Sequence, residues 1–574
     1  VADGKKPEDK RAEGKGLEKG LTNYGDPEFA TYLRRSFAKS MGYSSEMLRR
    51  PIIGIATSAS GFNNCHRLTP ELVEAVKRGV LTAGGLPLEF PTISLGEVFL
   101  SPTSLVFRNL MSMDVEEMIR AQPMSGVVLV GGCDKTVPAQ LMGAISAGVP
   151  AVQLVVGPMM TGRYHGERLG ACTDCRRFWG RYRAGDVNKS EISEVEDNLA
   201  TTAGTCAVMG TASTMACLVE TLGMSLPGTA AIPAVHADRL RAGEASGALA
   251  VRLAAAGTTP KQIIDAAAIE NALRMLLAIG GSTNGIIHLT AIAGRLGLKV
   301  DLQQLNALSE TTPVLVNLKP TGQHYMEDFH AAGGVGAVLH ELKPLLNLGA
   351  RSVTGETLEE RLSKGQGYVN RDVIRPLGDP FHRNGGLVGV FGNLAPNGSI
   401  IKTAAADERL FEHTGRAVVF DGLDDLSARI DDPNLDVTAD DVLVLQNAGP
   451  IGAGMPEAGY LPIPSKLARA GVKDMLRISD ARMSGTAFGT IVLHISPEAA
   501  IGGPLGLVRT GDKIRLSVKE RKLDVLLSES ELDARRQQGN GPRPVPARGY
   551  AKLYAQSVLG AEAGCDFNFL REGG

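Results

Sequence analysis

No stretch of the chain approaches the roughly 18 consecutive apolar residues of a membrane-spanning helix, so no membrane association is expected. The opening VADGKKPEDKRAEGKGLEKG carries charges and glycines but no apolar segment of a secretory signal. It reads as a mobile arm, and the expected location is cytoplasmic. A surplus of one charge sign is also missing: 60 Lys and Arg face 62 Asp and Glu, and the basic residues are scattered. That leaves no electrostatic footprint for nucleic acid, and small-molecule partners are expected instead. Cysteine is sparse, with seven widely spaced residues and none of the clustered spacing of a ferredoxin. An odd set without a signal segment argues for reduced thiols, some of them metal ligands, over disulfides. Cys172 and Cys175 form a CTDC pair, but no second pair stands near to complete a zinc site. They read as surface or structural thiols.

What is present points to an α/β protein. Glycine is enriched, at 69 of 574 residues, which suits many tight strand-to-helix turns and close backbone approaches. The length exceeds what one core fills, and two large units are expected. Between residues 50 and 300, apolar runs such as PIIGIATSA, LPLEFPTI, SGVVLVGG and VPAVQLVV alternate with helical patterns. This rhythm predicts a mostly parallel sheet covered by helices. One helix is well punctuated, with Thr69 as its cap, Pro70 at its first position and Gly84-Gly85 as its stop. A long helical segment, PKQIIDAAAIENALRMLLAIGGSTNGIIHLTAIAGRLG, extends the same unit. Near residues 365–385 the texture changes to short β-rich runs, among them RAVVFDG, DVLVLQNAG and the hairpin-like DKIRLSVKERKLDVLLS. The expected organisation is a lead-in over 1–50, an α/β domain over 51–375 and a β-barrel-like domain over 376–574.

The chemistry-bearing residues cluster by position. Cys65 in FNNCHRLTP, Cys133 in GGCDKTVP and Cys206 in AGTCAVMG each sit on a loop just before a helix start. Free N–H groups and the helix dipole favour a thiolate there, and in an open α/β sheet such loops gather at one edge. Three thiolates could therefore converge on one site, although spacing alone leaves the reading as ordinary small buried residues equally open. Cys217 and Cys565 take that bland reading. GGVGAV, at residues 333–338, imitates a dinucleotide loop but follows no strand-like run. GPIGAGMPEAGYLP, with Glu457, and ISDARMSGTAFGT, with Asp480, Arg482, Ser484 and Thr486, are small-residue loops carrying isolated charged groups. Loops of this kind often hold sites.

Taken in order, GCDKT, GTC followed by MGTASTM, AIGGSTN, GNLAP, RAVVFDG, GPIGAGMPE, DARMSGT and SPEAAIGGPL resemble the dihydroxy-acid and sugar-acid dehydratases, a family of iron-sulfur enzymes that includes 6-phosphogluconate dehydratase. The resemblance runs from about Pro51 to the C-terminus. It implies that Cys65, Cys133 and Cys206 hold a cluster, and a cysteine at the first position resembles the 2Fe-2S branch. It implies a magnesium site of Glu97, Asp134, Lys135 and Glu457, with Lys135 carried as a carbamate that supplies an oxygen ligand. Ser484 matches the proposed base and Thr486 a neighbouring substrate contact.

The implied reaction removes water from a 2,3-dihydroxy carboxylate to give a 2-keto-3-deoxy acid, in a homodimer or homotetramer. DARMSGT is closer to the pentonate and hexonate enzymes than to the branched-chain amino-acid enzyme. The alternative substrate is 2,3-dihydroxyisovalerate, with promiscuity toward glycerate. A redox sensor and a nicotinamide-dependent oxidoreductase are the rivals from other classes.

Overall fold

The computed structural model describes residues 16–21, 24–538 and 545–572. The strands β1 (Ile52–Thr57), β2 (Leu86–Pro91), β3 (Gly126–Gly131) and β4 (Ala151–Val155) form a parallel sheet in the order β2-β1-β3-β4. The residues of β3 and β4 are buried throughout, as continuous apolar strands covered on both faces require. Helices Thr69–Thr82, Ser104–Ala121 and Thr136–Ala147 make the crossovers. Parallel pairing sends the loops after β1, β3 and β4 to the same edge of the sheet.

Three local expectations are revised. Leu68, not Thr69, occupies the cap position and no side chain caps the helix. Pro70 therefore falls at the second helical residue, where its missing N–H is still no loss. The long helical segment resolves into Pro260–Ile263, Ala266–Ala278 and Asn284–Gly294, broken where Gly280 turns to φ 56°. Residues 1–15 of the arm lie outside the described residues. The stretch 16–20 is anchored: Leu17 packs with Ala38, Leu48, Ile52 and Leu86, and Arg34 Nη1 donates to the Leu17 and Lys19 carbonyls at 2.8 and 2.7 Å. The GGVGAV segment opens helix Gly334–Leu342 and follows helix Met326–Ala331, so it lacks the strand that a dinucleotide loop needs.

After a short hairpin, β5 (Gly162–Tyr164) and β6 (Glu167–Leu169), and further helices, the chain builds a second sheet. Its strands are β7 (Val388–Val390), β8 (Gly398–Ile401), β9 (Glu412–Asp421), β10 (Val442–Gln446), β11 (Arg477–Ser479), β12 (Ile491–Ser496), β13 (Lys513–Ser517) and β14 (Lys522–Val525), in the order β14-β13-β9-β10-β11-β12-β8-β7. The two edges meet: Phe391 N donates to Arg521 O at 2.9 Å and Leu523 N to Phe391 O at 2.7 Å. The sheet is thereby nearly closed into a barrel, which hides its edges.

Period-two alternation sorts the side chains of the barrel. Ala417, Val442, Val444, Ile478, Val492, Ile514 and Leu516 pack in one core. Val418, Phe420, Leu443 and Leu445 point the other way, packing with Leu426 and Ile430 of the segment around helix Gly422–Arg429. Strands β9 to β12 run parallel, so the loops after β10 and β11, which carry Glu457 and Ser484, leave the barrel from one end. No helix among the described residues is long and apolar enough to cross a membrane.

Candidate active site

The loops from the two sheets meet around a cavity of about 870 Å³. Cys65, Cys133, Cys206, Glu97, Asp134, Glu457 and Ser484 all line it, although the sequence scatters them over more than four hundred positions. Lys135 is fully buried behind the wall, with its Nζ 3.1 Å from Glu97 Oε2, 3.2 Å from Asp134 Oδ2 and 4.0 Å from Glu457 Oε1. Thr486 is buried and off the lining, hydrogen-bonded to Ser484 through their hydroxyls at 2.8 Å.

The thiol side is built by bracing two loops together. Cys65 sits in the turn Asn64–His66, and Cys133 follows β3. His66 is buried between them, its Nε2 accepting the Gly132 N–H at 3.0 Å and the Cys133 N–H at 3.3 Å. A nitrogen that accepts carries no proton, so the ring proton belongs on Nδ1, which faces the Ser58 carbonyl at 3.1 Å. Burial lowers the His66 pKa to about 4, keeping the ring neutral and the brace intact near neutral pH.

Cys206 reaches the same space because Pro158 and Thr205 form a parallel bridge beyond β4. The nearby Cys133 thiol, then burial, push the Cys65 thiol well above its ordinary value. At Cys206, the Cys172 thiol pulls the other way, but burial and the negative neighbourhood of Asp134, Cys65 and Cys133 prevail and raise it. Such a group of sulfurs suits a soft metal centre whose positive charge replaces the protons.

The oxygen side is a carboxylate trio. Ligand atoms of Glu97, Asp134 and Glu457 lie within 4.8 Å of one another. Arg482 reaches across from the barrel, Nη1 2.6 Å from Glu457 Oε1 and Nη2 3.0 Å from Glu97 Oε1. Burial alone would raise Glu97, but Lys135 and Arg482, with a hydrogen bond from Ser104, hold it well below the usual carboxylate range. Glu457 moves oppositely: burial and the repulsion of Glu97 push it up. For Lys135, burial and Arg482 work to lower the ammonium pKa, yet Asp134, Glu97 and Glu457 leave it raised.

The Ser484 loop is seated by close backbone approach. Asn284 Nδ2 donates to Met483 O at 3.1 Å and to Thr211 Oγ1 at 3.0 Å. A Cβ on Gly485 would fall 2.6 Å from Ser282 Cβ and 2.8 Å from Thr211 N, so only glycine lets these loops touch. The GGSTN and DARMSGT motifs thus hold each other across the two sheets.

Comparison with known sequences fits this arrangement. Residues 50–361 match the dihydroxy-acid/6-phosphogluconate dehydratase N-terminal domain, and residues 372–565 match the C-terminal domain. The chain belongs to this dehydratase family. The 6-deoxy-6-sulfo-D-gluconate dehydratase of Pseudomonas putida is 44% identical over 92% of each chain. The L-arabonate dehydratase of Azospirillum brasilense is 45% identical over 95% of this chain and 96% of its own. A dihydroxy-acid dehydratase of Syntrophobacter fumaroxidans is 36% identical over 92% of this chain and 96% of its own.

In this family member, several residues at the cavity escaped the sequence reading. Cys172 is not a surface thiol: it lines the cavity with its Sγ 2.8 Å from Cys206 Sγ. Arg176, Trp179, Arg183, Asp431 and Tyr460 form the outer wall. Arg176 lies over the Tyr460 ring at 5.1 Å, and Arg183 pairs with Asp431 at 2.5 Å. Arg482, His66 and Ser104 hold the inner residues in place; of these, only Arg482 carried a signal, as the charged member of DARMSGT. Asp480 of that motif serves the loop backbone, accepting the Ala448 and Ala499 N–H groups at 3.0 and 2.9 Å.

Proposed function

We propose that the protein is a sugar-acid dehydratase, removing water from 2,3-dihydroxy carboxylates of the pentonate or hexonate type to give 2-keto-3-deoxy acids. The observation that carries this reading is a single cavity lined by a thiol set on one wall and a carboxylate trio on another. In our reading Cys65, Cys133 and Cys206 would hold a 2Fe-2S cluster, and Glu97, Asp134, Glu457 and a carbamylated Lys135 would hold Mg²⁺. When bound, the two centres supply Lewis acidity for the substrate carboxylate, the C2 hydroxyl and the departing C3 hydroxyl.

The oxygen donors fit a hard cation. With Lys135 as a free ammonium, the trio faces two cations, Lys135 and Arg482. Carbamylation would turn one of those cations into a further anion, and a divalent ion would then restore the balance. Ser484, on the cavity wall, would take the C2 proton on Oγ, and its hydrogen bond with Thr486 orients that oxygen beside the substrate. A neutral hydroxyl is a poor base, so Ser484 must act as an alkoxide stabilised by nearby metal charge. On the outer wall Arg183 and Asp431 already pair with each other, while Arg176 and Tyr460 would offer polar groups to a polyol tail that the aliphatic end of 2,3-dihydroxyisovalerate would not meet. The higher identity to sulfogluconate and arabonate dehydratases than to the dihydroxy-acid dehydratase supports the same choice.

We further take the chain as a lead-in over 1–50, an α/β domain over 51–375 and a barrel domain over 376–574, working as a cytoplasmic homodimer or homotetramer. The catalytic assignment is tested with Ser484→Ala. The variant is expected to lose at least about a hundredfold in kcat while keeping the visible absorption of the cluster. Retained turnover would remove Ser484 from the role.

A further inference from the structure

The CTDC pair adds two thiols to a cavity where the cluster reading needs only three in all. Four of the five described thiols there fall into two couples. Cys65 and Cys133 interact on loops braced by His66, while Cys172 Sγ lies 2.8 Å from Cys206 Sγ. A 2Fe-2S cluster fully held by cysteine needs four thiolates, two on each iron.

The segment carrying Cys172 is fixed. Cys172 caps helix Thr173–Ala184. The next residue, Thr173, donates through Oγ1 to Thr486 O at 3.0 Å, tying the helix start to the Ser484 loop. Asp174, buried behind it, accepts from Gly170 N at 2.8 Å, Lys319 Nζ at 3.0 Å and Arg177 Nε at 3.0 Å. Cys175, one turn on, is directed differently: its Sγ donates to the Cys172 carbonyl at 2.6 Å. Both thiols line the cavity, and Cys172 is the one whose Sγ lies against a proposed cluster cysteine, Cys206.

We infer that Cys172 is a fourth thiolate ligand in the substrate-free protein, sharing an iron with Cys206 and capping the coordination position that the hydroxy acid later takes. This rests on the cluster reading given above. With substrate bound, a hydroxyl of the acid would take the place of the Cys172 thiolate, which would pick up one proton from solvent with no electron transferred. The cap would shield the iron from water and oxygen between turnovers, and Cys172 would serve as a positioning and protecting residue.

The test is Mössbauer spectroscopy of anaerobic protein reconstituted with ⁵⁷Fe and sulfide, as wild type, Cys172→Ser, Cys172→Ala and Cys175→Ser. The inference expects two equivalent, all-sulfur irons in the substrate-free wild type and in Cys175→Ser. In both Cys172 variants one iron should shift to a mixed sulfur–oxygen site. Adding an aldonate to wild type should produce the same split. Loss of iron to a chelator should be at least about tenfold faster in the Cys172 variants, since even outer groups around a metal alter affinity by that factor.

The wild-type spectrum alone decides the matter if a variant fails to fold. One oxygen-ligated iron in substrate-free wild type, unchanged by Cys172→Ala, would overturn the inference and leave the three-cysteine reading standing. Failure of the wild type to take up iron and sulfide would overturn both.

Discussion

Lys402 is a single residue whose surroundings predict a measurable pH effect. It directly follows β8, is buried, and its Nζ has no hydrogen-bond partner among the described residues. Burial pulls its pKa down to about 7. The folded protein thus binds fewer protons than the unfolded chain between about pH 7 and the ordinary lysine value near 10.5, so this group makes stability rise with pH through that window. Lys402→Met should flatten the dependence of Tm on pH between 7 and 10 and raise stability at pH 7 by about 1 kcal/mol or more. An unchanged slope would show that the ammonium finds partners. Glu97 makes the matching prediction at the site. Glu97→Gln should weaken Mg²⁺ binding, followed by calorimetry, at least about tenfold, while the cluster's visible absorption persists.

Between elements, the loops that hold the site were legible where their residue types are forced by local chemistry. Cysteines before helix starts, and a glycine-rich turn around Glu457, stood out by position, but the ordinary buried-residue and turn readings stayed equally open until the ordered motifs were taken together. Cys172 did not stand out: its partner, Cys206, is 34 positions away and comes near through tertiary pairing, with Ala207 N donating to Ala171 O at 3.2 Å. His66 was equally hidden, since a buried histidine accepting two backbone N–H groups has no sequence pattern. The second sheet was expected to be β-rich and barrel-like, as it is; the residues that close it were not legible, because Phe391 meets Arg521 and Leu523 by tertiary pairing alone.

Asn393 fastens that closure, with Oδ1 accepting Val525 N at 2.8 Å and Nδ2 donating to Val525 O at 2.9 Å. Asn393→Ala should lower unfolding free energy by about 2–3 kcal/mol, from the groups left unpaired. Urea melts would check it. Gly485→Ala should do more local damage, separating the Ser484 loop from Ser282 and lowering kcat with little loss of cluster absorption.

Across the whole molecule, the C-terminal segment clamps the chain back onto its first half. Arg295 Nε and Nη2 hold Asp566 at 2.7 and 3.0 Å with both side chains fully buried. Arg108 Nη2 also donates to the Gly564 and Cys565 carbonyls, each at 2.8 Å. Breaking such a pair leaves a buried charge, so Asp566→Ala should destabilise by about 3–5 kcal/mol and show as a large drop in Tm.

The clamp keeps the barrel loops facing the sheet loops, and the proposed chemistry requires both walls of the cavity at once. The most direct test of that chemistry is 2-keto acid release by anaerobically reconstituted protein with Mg²⁺, in competition between an aldonate panel of arabinonate, xylonate and gluconate and 2,3-dihydroxyisovalerate with glycerate. The account predicts that one of the aldonates is preferred in kcat/KM by at least about tenfold, as expected when a wall of polar groups must be satisfied. Preference for 2,3-dihydroxyisovalerate, or no keto acid from any substrate with cluster and carbamate both confirmed, would contradict it.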